Sequence, residues 1–202
     1  MQDISVEFCD TNAGCIAALR GAFAGVAEIS FVNASMCSRV ADCVVTPGNS
    51  FGYMDGSLDG SINTWLSGYD ASERIGDRTR REIRQRFYGE QPVGTCMLVP
   101  TRNHPVRWLA HCPTMRIPEN VADTLNAYNA FRGMLLEVLL HNRTASGSRI
   151  RTILCSSLCT GAGEMSPEAS AKQMRGAWDS LVNPSYTYDW KATREHHRLL
   201  QS

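Results

Sequence analysis

The chain has no net charge: its 202 residues hold 20 Lys plus Arg against 20 Asp plus Glu. That balance excludes a surface built chiefly to coat nucleic acid or anionic membrane, while leaving room for a local patch. No apolar run approaches the roughly 20 residues needed to cross a bilayer, and Met1-Gln2-Asp3 is not a basic start leading into an apolar segment. The expectation is a soluble intracellular protein, cytoplasmic in location, with no membrane partner. There is no C-x-x-C pair among the eight cysteines, at positions 9, 15, 37, 43, 96, 112, 155 and 159. Without the paired spacings that zinc uses or an oxidising compartment, they are expected as free thiols, most of them small core hydrophobes, and no metal site is expected. Neither G-x-x-x-x-G-K-[ST] nor a G-x-G-x-x-G in the first β-α turn is present, so kinase, GTPase and ordinary dinucleotide oxidoreductase readings lose ground. Internal repeats and low-complexity linkers are also missing.

What is there suits a globular fold: 43% hydrophobic and 20% charged residues in a length that fits one domain. We expect a single domain over residues 1–183 and a tail over 184–202. Alternating apolar and polar residues from Ile4 to Cys9 predict a strand, and Thr11 to Gly14 opens a helix through Ile16, Leu19 and Phe23. Ile29–Val32 and Cys43–Val45 are short β-branched runs, the second closed by Pro47-Gly48-Asn49. The glycine and aspartate loop 51–60 leads into a helix from about Ser61. Glu73–Tyr88 is helical, and residues 73–90 hold six arginines and four acids, which predicts a solvated face. Val93–Val99 and Val106–Cys112 are strand candidates, Val121–His141 a core helix, Ile150–Ser156 a last strand, and about Pro167–Leu181 a further helix. The tail, with Tyr186, Tyr188, Trp190 and His196-His197, is read as a surface helix or a partly mobile segment. Strands alternating with helices predict an α/β sheet covered on both faces, with ligands at the carboxyl ends of its strands.

Two loops there carry chemistry. Residues 41–49 read ADCVVTPGN, and six residues later comes GSLDG at 56–60; the second loop is Thr160-Gly161-Ala162-Gly163, after the strand ILCSS at 153–157. Both follow an apolar strand and precede a helix, so their backbone N–H groups suit an anion such as a diphosphate. Asn49, at a strand end, offers a donor and an acceptor to a sugar hydroxyl. Asp59, just before a helix, is expected ionised beside the positive end of the dipole, where a carboxylate can hold a water. Asp55 is a second carboxylate in the same loop and an alternative for that part. The plainer reading, that both aspartates only cap turns and the helix, stands beside it.

These two segments, in this order, resemble the macrodomain, an ADP-ribose-binding module. Its first signature is a strand end D-A-I-V-N-x-x-N followed by a glycine loop G-G-[VLI]-D, and its second a strand ending in a Thr/Ser-Gly loop that wraps the diphosphate. The resemblance covers roughly residues 4–182 and implies a three-layer α/β/α fold with a central mixed sheet. It implies that Asn49 binds the distal ribose and Asp59 orients or activates a water, with Asp55 as the alternative. It also implies that Gly48, Gly56, Ser57, Leu58, Thr160, Gly161, Ala162 and Gly163 contact the ligand. No cofactor is implied. The chain departs from the pattern at Thr46, where an Asn is usual, and at Ser57, where a Gly is usual and a positive φ would strain a serine. Asn33 falls near the place of the aspartate that accepts from the adenine amino group; its carbonyl accepts the same bond without charge assistance, a difference of ~1 kcal/mol. Gly163 stands where an aromatic often covers the distal ribose, leaving that part to Phe51, Tyr53 or a tail tyrosine.

The activity implied is hydrolysis of the C1″ linkage of ADP-ribose to a carboxylate, acetyl or phosphate group, on a protein or a small molecule. A non-catalytic ADP-ribose or nucleotide reader is the alternative. Single-strand nucleic acid binding through the Arg74–Arg86 helix ranks third, since that segment lacks interleaved aromatics. Cysteine chemistry at His111-Cys112 ranks last, because neighbours on a strand point to opposite faces.

Overall fold

The computed structural model describes residues 3–70, 72–102, 104–144, 148–182 and 189–201; Tyr186 and Tyr188 lie outside them. In chain order the elements are β1 (Ser5–Cys9), α1 (Ala13–Ala22), β2 (Ile29–Val32), a 3-10 turn (Met36–Ser38), β3 (Cys43–Thr46), α2 (Ser57–Ser67) and α3 (Ile75–Phe87). There follow β4 (Met97–Pro100), β5 (Trp108–His111), α4 (Asn126–Thr144), β6 (Thr152–Cys155), α5 (Pro167–Val182) and α6 (Trp190–Gln201). The strands form one six-stranded sheet in the order β2-β1-β6-β3-β5-β4. It is parallel throughout except for β4, which runs antiparallel to β5 at the edge.

The three layers follow from alternation along buried strands. Cys43 and Val45 of β3, with Ile153 and Cys155 of β6, face a core shared with Leu19, Phe23, Phe131, Leu135 and Trp178 of α1, α4 and α5. Val44 and Leu154 face the opposite way, against Ile62, Leu66, Ile75 and Ile83 of α2 and α3. Strands apolar on both faces are what a covered parallel sheet requires. α6 lies on α5, where Leu200 takes the space beside Gly176 that a Cβ there would occupy, its Cδ2 2.5 Å from that position.

Three element starts differ by four residues or more from the sequence expectation, each for a local reason. Residues 93–96 form a turn, not a strand, because Gly94 takes φ +83° to bring its carbonyl against Gly133 of α4. Val121–Thr124 form a turn tied to Gly163 by the Val121 N–H, so α4 begins only at Asn126. α2 begins at Ser57, four residues earlier than Ser61, which moves Asp59 into the helix's first turn.

One of the six arginines of the 73–90 segment is not solvated. Arg78 is 1% exposed and bonds Asp70, Glu73 and the Pro100 carbonyl, which ties the α2–α3 loop and the end of β4 to α3. Arg78→Ala leaves that buried network without its cation and is expected to cost about 3–5 kcal/mol in urea unfolding, whereas exposed Arg84→Ala costs under about 0.5 kcal/mol. Equal costs would remove Arg78 from this role.

Candidate functional site

The parallel strands end at one edge of the sheet. There the chain after β1 and β6 turns to the α1/α5 face, and the chain after β3 turns to the α2/α3 face. The parting leaves a cleft of about 590 Å³, within the usual size of a small-molecule site. Gly48, Asn49, Asp55, Gly56, Ser57, Leu58, Asp59, Thr160, Gly161, Ala162 and Gly163 all line it. Asn33 does not: it is exposed, and its Nδ2 donates to the Asp10 carbonyl at 2.8 Å. The acid on that wall is Asp10, which sequence reading missed. Its carboxylate accepts from the Asn12 N–H at 2.9 Å and the Ser157 N–H at 3.3 Å, joining the β1 and β6 loops. The signal was present in the acid directly after a strand and two residues before the N-cap, Asn12.

Both loops present main-chain donors. α2 has Gly56 at its N-cap with no side-chain cap, and its first helical bond runs from Gly60 N to Gly56 O, so the N–H groups of residues 57–59 have no partner within the helix. Ser57 opens this helix and is not among the positive-φ residues, so the strain expected there does not arise. Across the cleft, Cys159 (φ 64°) and Glu164 (φ 55°) bracket a tight loop. A Cβ on Gly163 would stand 2.5 Å from the Cys159 carbonyl and 2.8 Å from Val121 Cγ2, so close approach excludes any side chain there, an aromatic included. Tyr53, 55% exposed, is the aromatic on the cleft wall.

Asn49 is more committed than its position suggested. Its Oδ1 accepts from the Phe51 N–H at 3.1 Å and the Tyr53 N–H at 3.3 Å, and its Nδ2 donates to the Tyr53 carbonyl at 3.0 Å. The carboxamide thus staples the 50–53 turn, leaving one N–H for a ligand. Asp59 also differs from expectation. Burial pushes its carboxyl above the usual carboxylate range, outweighing a 2.5 Å bond from the Thr46 hydroxyl that favours the ionised form, and the Asp55 charge pushes the same way. The helix N-terminus does not dominate.

Behind this loop lies a buried polar network. A Cβ on Gly48 would meet His111 Nε2 at 2.5 Å. His111 is fully buried, and desolvation lowers its pKa to about 4, so the ring is neutral at physiological pH. Gln91 donates its Nε2 to the Thr95 hydroxyl and the His111 carbonyl, so its Oε1 is the acceptor for His111 Nδ1–H at 2.7 Å. Cys112, on the other face of the strand, packs among the α1/α4/α5 core, and burial raises its thiol. The thiols on the cleft wall are no more reactive: Cys9 and Cys159 are pushed up to about 12 by burial.

The Macro domain family model matches residues 45–174. The chain therefore belongs to the macrodomain family. An Oceanobacillus iheyensis macrodomain with ADP superposes at a TM-score of 0.57 and 16% identity, over 82% of this chain and 87% of that one. A mutant of the same protein with ADP-ribose gives 0.53 and 16% over 71% and 73%. The Trypanosoma brucei macrodomain in complex with ADP gives 0.54 and 16% over 74% and 56%. No curated protein matches the chain.

Two outcomes test the network behind the loop. Gly48→Ala drives a methyl into a buried ring and is expected to cost about 1–3 kcal/mol while displacing Asn49, read as a lower urea midpoint together with weakened ligand binding. A midpoint unchanged from wild type would show that His111 yields freely. His111 binds its proton with a folded pKa of about 4 against an ordinary value near 6.5, so the unfolded chain protonates first. Its contribution is complete above pH ~6.5 and is lost as pH falls toward 4. His111→Gln is expected to flatten the acid side of the stability profile in that window.

Proposed function

We propose that the cleft binds ADP-ribose and that the protein hydrolyses the C1″ linkage of an ADP-ribose derivative. The diphosphate lies between the 57–59 and 160–163 N–H groups, Asp10 accepts from the adenine amino group in the part first assigned to Asn33, and Tyr53 covers the distal ribose. The remaining Asn49 N–H bonds a ribose hydroxyl. The carrying observation is Asp59: a carboxyl in the cleft wall, fixed by Thr46 and raised by burial toward the range where general acid-base work is efficient at neutral pH. It orients the attacking water at C1″ and accepts its proton as the leaving group departs with the bonding pair. The ADP and ADP-ribose bound to the related macrodomains support the ligand assignment. One observation favours the reader alternative: the Asn49 oxygen is spent on backbone, leaving less of that side chain for the sugar.

The test is a calorimetric titration with ADP-ribose, using AMP and ribose 5-phosphate as controls, alongside turnover of O-acetyl-ADP-ribose and ADP-ribose 1″-phosphate. Saturable binding much tighter than to AMP is expected. Asp59→Asn is expected to cut turnover by roughly 10²–10⁴ while ADP-ribose affinity stays within a few-fold. The same variant should raise Tm at pH 7: the folded pKa lies above the unfolded one, so the ionised carboxyl is the form the fold disfavours. Unchanged turnover would leave the reader, and no binding of ADP-ribose would remove both.

A further inference from the structure

Two cysteines meet at the free edge of the sheet. β4 is an edge strand paired with β5, and its first ladder pair is Met97 with His111. One step beyond that pair, Cys96 stands opposite Cys112. The Thr101 N–H donates to the Arg107 carbonyl at 3.0 Å, so odd-numbered residues of β5 and its flanks turn their backbone groups toward β4. The Cys112 N–H points the other way, to the Thr46 carbonyl at 3.0 Å. Cys96 and Cys112 are therefore a non-hydrogen-bonded antiparallel pair, the arrangement in which Cα atoms lie ~4.5 Å apart and side chains come closest.

Both side chains are on one face of the sheet, Cys112 within the α1/α4/α5 core and Cys96 packed against its rim. The Cys96 thiol donates to the Cys112 sulfur. A Cα separation of that size is one that a disulfide spans without backbone movement. Neighbouring thiols are placed differently. Cys43 is registered with Ile153, which leaves Cys155 two residues further along the adjacent strand, and Cys9 turns to the α2/α3 face. Exposure differs within the pair: Cys112 is fully buried, whereas Cys96 is half-buried at the edge, where a small oxidant meets it first. Burial raises both thiols, so neither is a thiolate while β4 is seated, and reaction waits on local opening of the edge strand.

We propose that Cys96 and Cys112 are a reversible thiol-disulfide site, oxidised by a hydroperoxide. In the first step the Cys96 sulfur attacks one peroxide oxygen, the O–O bond breaks, and the departing oxygen takes the thiol proton, which leaves a sulfenic acid on Cys96 and, from hydrogen peroxide, one water. In the second step the Cys112 sulfur attacks the Cys96 sulfur, the S–O bond breaks, and hydroxide leaves with the bonding pair and takes the Cys112 proton as a second water. Two thiols lose two electrons and the peroxide gains them. The bond ties the edge strand to the segment whose Cys112 N–H holds the Thr46 carbonyl, so oxidation fastens the backbone behind the cleft. Nothing in this depends on which ligand the cleft takes.

The experiment exposes the folded full chain to hydrogen peroxide, blocks the remaining thiols with N-ethylmaleimide in urea, and digests with trypsin without reduction. The expected product is peptide 87–102 joined to peptide 108–116, two hydrogens lighter than their sum and separated by dithiothreitol. Because the bond joins residues 16 apart, the oxidised chain is expected to melt roughly 5–10 °C higher than the reduced one, a gain that dithiothreitol reverses. Cys96→Ser, a change at the half-buried edge, is expected to fold and to lose both the cross-link and the gain in Tm. Cys112 lies in the core, so the peptide map of the unmutated chain decides the matter without a variant there. Cys96 recovered as sulfinic acid with Cys112 alkylated, all eight thiols alkylated after peroxide, or a cross-link that forms only when the chain is oxidised in urea overturns the inference.

Discussion

The end of β3 is clamped to the segment that follows β5, and the rest of the site depends on that clamp. The Thr46 carbonyl accepts from the Cys112 N–H, the Gly48 carbonyl accepts from the Thr114 N–H, and the Ser50 N–H donates to the Met115 and Arg116 carbonyls. The parallel ladder thus continues past the strands themselves. It is possible only because residue 48 lacks a Cβ and admits the His111 ring. The Asn49 carboxamide then closes the 50–53 turn, the chain reaches Gly56, and α2 starts where its first turn returns Asp59 to Thr46. A two-residue contact under the loop sets the position of a carboxyl eleven residues later.

The same clamp explains a tension between folding and chemistry. His111 is neutral because it is desolvated, Gln91 is spent holding it, and Asp59 is disfavoured as an anion by its burial. Each of these groups would be easier to accommodate in water. Their cost is offset by the two apolar layers, the large α1/α4/α5 core and the smaller α2/α3 core, which meet the sheet from both sides. Groups held in states that solvent would not choose are what functional sites accumulate.

Much of the sheet was legible because its strands are short apolar runs ended by proline or polar residues, and because helical spacing of Leu125, Phe131, Leu135 and Leu139 marked a core helix. The loops carrying the site were legible from their glycines and acids in strand-loop-helix order. What escaped depended on distance in sequence. Nothing local shows that Gly94 must approach Gly133, that Val121 is tied to Gly163, or that Asn33 serves the Asp10 carbonyl from outside the cleft. The state of Asp59 escaped for the same reason: the helix N-terminus is a local feature, whereas desolvation between α2 and β3 is a tertiary one.

The cleft has another property that composition hides. Three carboxylates, Asp10, Asp55 and Asp59, line it, and among the described residues no lysine or arginine does. An anionic diphosphate in such a place must be held by main-chain N–H groups and the start of α2, whose dipoles are fixed by the fold and carry no mobile counterions. A guanidinium would add affinity but would also neutralise Asp59 and lower its pKa, undoing the state that burial produces. Arg74 and Arg80 instead line a separate, smaller cavity that shares Asp55 with the cleft. The division keeps guanidinium groups away from the acid at the cleft wall, so burial remains the largest influence on the state of Asp59.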